Sequence, residues 1–97
     1  MPTYITLINW TDQGVKNFKD TVDRSVKAEE AMGELGVTFK DVYWTVGPYD
    51  IVTVVEAPDE EKATAALLVA AAEGNVRTTT LRAFNRDEMS RIVELAS

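Results

Sequence analysis

The chain has 97 residues, 45% apolar and 27% charged, values that suit one globular domain with a single core. Sixteen acidic residues against ten basic ones give a formal charge of −6, so a phosphate backbone would be repelled and no nucleic-acid partner is expected. Histidine and cysteine are both absent, which removes thiolate nucleophiles, Ser-His-Asp triads, disulfides, typical zinc sites and His-ligated haem.

"TYITLINW" (3–10) is a strand pattern rich in β-branched and aromatic residues. Thr11 or Asp12 can cap a helical region that runs to about Leu35, where Gly36 suits its stop. Its apolar positions include Val15, Phe18, Val22, Val26 and Met32, and Thr21 offers a second cap with a break near Asp20. "VTFKDVYWTV" (37–46) and "DIVTVVEA" (50–57) read as a hairpin around Gly47-Pro48-Tyr49-Asp50. Pro58 stops the strand and Asp59 caps the next helix, with Glu60 and Glu61 favouring its positive end; this reading is preferred to a metal site. That helix carries the run Ala63, Ala65, Ala66, Ala70, Ala71 and Ala72, good helix formers that allow close packing, and ends at Gly74-Asn75. "VRTTTLRAF" (76–84) is a fourth strand, and "RDEMSRIVELAS" a terminal helix with Met89, Ile92, Val93 and Leu95 on its apolar side.

The order β-α-β-β-α-β-α predicts one α+β domain over residues 1–97: a ferredoxin-like βαββαβ sandwich with a C-terminal helix. Its four-stranded antiparallel sheet has order 4-1-3-2, with both main helices on one face and the other face bare. With Pro48 and Tyr49 as central turn residues, Val46 pairs with Ile51 and Trp44 with Thr53. Alternation then puts Val42, Trp44, Val46, Ile51 and Val55 under the helices, together with Ile5, Leu7, Leu81 and Ala83. The bare face is expected to show Tyr4, Thr6, Ile8 and Trp10 from the first strand, and Tyr43, Thr45, Val52, Val54 and Glu56 from the hairpin, with Asp50 at the edge. Thr78, Thr80, Arg82 and Phe84 complete it. Such a face is too apolar to stay in water, so homo-oligomerisation is expected, with two copies packing sheet to sheet and enclosing a small pocket.

The segments "YITLINWTDQGVKNFKD", "VYWTVGPYDIVTVVEAPDEE" and "GNVRTTTLRAF", roughly Tyr4 to Phe84, resemble the GYD domain family, whose signature is met here by Gly47-Pro48-Tyr49-Asp50. The resemblance implies the dimeric α+β-barrel type of ferredoxin-like fold. The family's function is unassigned, so the resemblance supplies no catalytic residues.

The candidate ligand-binding set is therefore Tyr4, Thr6, Trp10, Tyr43, Thr45, Tyr49, Asp50, Glu56, Thr78, Thr80 and Arg82. Asp50 is expected to hold the Gly47-Pro48 corner by accepting backbone hydrogen bonds, with Tyr49 closing one end of the pocket. Arg82 is expected to pair with Glu56 across Tyr4. The leading reading is a homo-oligomeric small-molecule-binding domain without metal or cofactor. The rivals are a cofactor-independent enzyme of isomerase or monooxygenase type and a purely structural assembly module. No apolar run reaches the roughly 18 residues of a membrane helix, and "MPTYITLINW" lacks signal-peptide features, so a cytoplasmic location is expected.

Overall fold

The computed structural model describes residues 1–97. The elements are β1 (Thr3–Trp10), α1 (Asp12–Lys16), a 3₁₀ turn (Phe18–Asp20), α2 (Thr21–Gly33), β2 (Thr38–Trp44), β3 (Ile51–Glu56), α3 (Glu60–Ala72), β4 (Val76–Ala83) and α4 (Arg86–Ala96). The Thr11 side chain caps α1 by accepting from the Gly14 amide, and the break before α2 falls at Asp20. Asp59 caps α3 by accepting from the Lys62 amide at 2.8 Å, with Glu60 and Glu61 in the first turn. The acidic cluster is thus used to start a helix. At α4, Asn85 and Glu88 form a reciprocal capping box.

The strands make one antiparallel sheet in the order β2-β3-β1-β4, and α2 and α3 cover one of its faces. This is the predicted ferredoxin-like architecture. The hairpin differs in detail. Trp44 pairs with Ile51 and Thr45 N–H donates to the Asp50 carbonyl at 2.8 Å, so the loop holds Val46 to Tyr49 and not two residues. The register therefore moves by two, which leaves each side chain on its expected face because strands alternate with period two. Val46 is the exception: placed in the loop, it is fully exposed and not under the helices. A bulge between Phe39 and Asp41 lets Phe39 share the helix-side face with Val42.

β1 and β4 are inverted relative to expectation. Tyr4, Thr6 and Ile8 lie opposite Val55, Thr53 and Ile51, so all belong to the face beneath α2 and α3. β4 follows β1, with Thr80 opposite Thr6 and Thr78 opposite Ile8. Ile5, Leu7 and Leu81 consequently lie on the bare face with Val52, Val54 and Tyr43. The reason is physical: both faces of β1 carry large apolar residues, so alternation separates the sides without saying which meets the helices. The inversion also ends the expected Glu56–Arg82 pair, since Arg82 lies opposite Tyr4 on one face and Glu56 opposite Thr3 on the other. Glu56 meets Lys40 at 3.2 Å, and Arg82 meets Glu88 at 3.9 Å.

α4 leaves Met89, Val93 and Leu95 of its apolar side exposed. The chain is correspondingly drawn out, 50 × 31 × 17 Å, with a radius of gyration of 14.5 Å. A compact domain of this length would have about 12.5 Å.

Candidate functional site

The core of Tyr4, Met32, Val37, Ala57, Ala63 and Ala66 fills only one end of the space between sheet and helices. Beyond it lies a cavity of about 140 Å³ with β1 along its floor and α2 and α3 as its walls. Small side chains create it. The walls present Ser25 and Ala28 from α2, and Ala63, Ala66 and Ala70 from α3. The alanine run leaves space where close packing was expected. From Thr21 to Met32 the α2 wall extends about 16 Å at 1.5 Å per residue.

The two ends of the slot differ. Met32, Val37, Tyr4 and Ala63 are all less than 9% exposed and close one end. At the other, beside Trp10, the lining residues Arg24 and Asn75 are half-exposed and Glu73 is exposed. The mouth is held by bonds from the start of α1 to the α3–β4 corner. Thr11 Oγ1 donates to the Gly74 carbonyl at 2.6 Å, Thr11 N–H to the Asn75 carbonyl at 3.1 Å, and Gln13 Nε2 to the Glu73 carbonyl at 3.1 Å. Gly14 makes this seam possible, since a Cβ there would lie 2.0 Å from the Asn75 carbonyl oxygen.

Three buried polar atoms have no partner in the chain: Tyr4 Oη, Trp10 Nε1 and Thr80 Oγ1. All three residues line the cavity. Thr53, Thr6 and Thr80 form one crosswise row over β3, β1 and β4, and the first two are each 5% exposed. An apolar slot with hydroxyl and indole donors on its floor can hold a small molecule that is mostly apolar and carries acceptor atoms.

Of the candidate set, Tyr4, Thr6, Trp10, Thr78 and Thr80 come together here, on the opposite face from the one expected. Arg82 does not line the cavity. Its guanidinium lies 5.7 Å from the Tyr4 ring centroid and 4.4 Å from that of Phe84, and it donates to the Thr3 and Ala83 carbonyls. Tyr43, Thr45, Tyr49, Asp50 and Glu56 do not line the cavity. The wall residues of α2 and α3 were missed; the small-residue spacing of Ser25, Ala28, Ala63, Ala66 and Ala70 was the available signal.

Asp50 acts on the site indirectly. Gly47, at φ 139°, and Pro48 turn the loop away, so the β3 ladder ends at Ile51. Asp50 continues it by two bonds to β1: its N–H donates to the Ile8 carbonyl at 2.8 Å, and its Oδ2 accepts from the Trp10 N–H at 2.9 Å. The carboxylate holds the backbone of the mouth tryptophan, and not the Gly47-Pro48 corner as expected. Thr45 Oγ1 closes the loop by donating to the Tyr49 carbonyl at 2.5 Å.

The sheet order, the helix-covered face and the slot beneath it define a ferredoxin-like α+β domain with a pocket between its sheet and its helices. A crystal structure of TTHA0845 from Thermus thermophilus shares this fold, with a TM-score of 0.56 at 30% identity over 88% of this chain and 95% of that one. The GYD domain model matches residues 4–93, and the chain belongs to the GYD domain family. A Thermus thermophilus protein named glutamine synthetase and cystathionine beta-lyase binding protein is 38% identical over 84 residues, covering 86% of this chain and 88% of that protein. No helix is long and apolar enough to cross a membrane.

Proposed function

We propose that the protein is a homo-oligomeric domain that binds a small molecule in the slot beneath α2 and α3. One observation carries the ligand: Tyr4 is 8% exposed, and its hydroxyl meets no partner at the closed end of an apolar pocket. Such a group costs about 1–3 kcal/mol, which a ligand atom would offset. Assembly is supported by surface area. The chain exposes 6715 Å² at 10.7 kDa, whereas a compact monomer of that mass exposes about 5,500 Å². The surplus of about 1,200 Å² exceeds the roughly 800 Å² that a protomer gives to a standard interface. The bare face of Ile5, Leu7, Val52, Val54 and Leu81, together with the apolar side of α4, is the surface that a second copy would cover. Cytoplasmic residence is part of the same proposal, with which a chain free of cysteine agrees.

Native mass spectrometry of the purified protein tests both halves. Multiples of 10.7 kDa that release a small molecule on denaturation are expected. A folded single-chain species with nothing bound would refute the proposal.

A second reading, a module that docks on other proteins, is favoured by the name of the Thermus relative and by one surface. Val15 on α1, Phe18 on the 3₁₀ turn, and Val22 and Val26 on α2 are exposed apolar residues, each about half exposed. On this reading the protein co-elutes with purified glutamine synthetase or cystathionine β-lyase, and Phe18→Asp abolishes co-elution while leaving the slot intact. Failure of both enzymes to co-elute removes it.

A further inference from the structure

Resting on the slot as the ligand site, we propose that the ligand is an uncharged carbonyl compound with an apolar body, bound with its oxygen toward Tyr4. Size comes first. A dry cavity of about 150 Å³ accommodates benzene, so a slot of about 140 Å³ encloses about six non-hydrogen atoms, and a slightly longer ligand extends toward the open mouth.

Polarity narrows the class. Trp10 Nε1 can only donate, and the Tyr4 and Thr80 hydroxyls can both donate. An acceptor oxygen is therefore the one group that all three unpartnered floor atoms can meet, and the only kind that satisfies the donor-only indole. Tyr4 lies at the closed end among Met32, Val37 and Ala63, so the oxygen that it meets is carried at the leading end of the ligand.

Charge is excluded from both directions. Arg24 is the one cation lining the slot, and its Nη1 and Nη2 are engaged by the carbonyls of Asn17 at 2.8 Å and Gly14 at 3.3 Å. Arg24 and Glu73 both stand at the mouth, so a carboxylate carried to the closed end beside Tyr4 would meet no cation of the lining. An ammonium group at the closed end would meet neutral hydroxyl oxygens and no carboxylate. Either ion would be desolvated without compensation.

The test is calorimetric titration of the full chain with 2-heptanone, heptanoate, heptylamine and hexane. Expected is measurable binding of 2-heptanone, weaker binding of hexane and none of the two ions. Tyr4→Phe removes the donor at the closed end. It should weaken 2-heptanone about 5- to 10-fold, the worth of one hydrogen bond, and leave hexane unchanged. The free Tyr4→Phe protein should also melt higher than the parent, because an unpartnered hydroxyl is gone; a merely structural tyrosine would not couple a stability gain to an affinity loss. Ala66→Leu fills the slot and should abolish binding of both neutral probes, with Ala70→Leu as the substitute variant should Ala66→Leu not fold. Tighter binding of heptanoate or heptylamine than of 2-heptanone, or a 2-heptanone affinity indifferent to Tyr4→Phe, overturns the ligand class while the slot stands. Binding of no probe, or binding unaffected by the slot-filling variant, overturns the slot reading itself.

Discussion

Replacing Asp50 with alanine removes one acceptor from a strand end that has no backbone substitute. The Trp10 amide donates to Asp50 Oδ2 at 2.9 Å in a part-buried setting, 40 residues away in sequence. The neighbouring bonds, Asp50 N–H to Ile8 O and Thr45 N–H to Asp50 O, use the backbone and survive the substitution. The loss is therefore one charge-assisted hydrogen bond together with an amide left short of a partner, about 2 kcal/mol in all. For a domain of this size that is a fall in melting temperature of roughly 10 °C. Asp50→Asn keeps an acceptor oxygen at the same reach and loses only the charge, so about 1 kcal/mol is expected. Urea unfolding at fixed protomer concentration measures both, and hydrogen exchange at the Trp10 amide reports the bond directly. Exchange should accelerate in the alanine variant and change little in the asparagine variant. An alanine variant within about 0.5 kcal/mol of the parent, its Trp10 amide still protected, would refute the assignment.

Gly14→Ala should destabilise by more than about 2 kcal/mol in the same unfolding assay, although alanine is the better helix former, because its methyl would lie 2.0 Å from the Asn75 carbonyl oxygen. Val54→Lys places a charge in the middle of the bare face opposite Ile5; sedimentation should show loss of the assembly, and an unchanged mass would sink the interface. Arg82 and Glu56, on opposite faces, should give additive effects in a double-mutant cycle, with a coupling below about 0.5 kcal/mol; a larger value would contradict the register.

The element order was legible because each boundary is marked by local chemistry. Thr11, Asp59 and the Gly74 stop act within a few residues of where they stand, as does the interruption at Asp20. The hairpin was less legible. Proline at the second turn position implies a two-residue turn, but Gly47 at φ 139° opens the loop to four residues and Val46 leaves the sheet with it. The use of Asp50 was legible as an acceptor and not as a bridge to β1, since no local pattern reveals a partner 40 residues away.

The inversion of β1 and β4 has a different origin, and it bears on function. Sorting the sides of a strand by hydrophobicity assumes that the apolar side is the core side. That assumption fails when both faces of a sheet are to be covered, one by helices and the other by a further surface. Here the face carrying Ile5, Leu7, Val52, Val54 and Leu81 is the bare one, while the face beneath the helices carries Thr6, Thr53, Thr78 and Thr80. A sheet that only needed a core would place these residues the other way round, because buried hydroxyls cost free energy unless they are bonded. Setting Thr6, Thr53, Thr78 and Thr80 among Ile8, Ile51 and Val55 on the inner face, while Ile5, Leu7, Val52, Val54 and Leu81 lie outside, fits a division of labour, in which the outer face is available for association and the inner face keeps hydroxyls available to a ligand. Reversing the pattern should separate the two roles. Thr6→Val with Thr80→Val should strengthen folding and impair ligand binding, leaving the oligomer mass unchanged.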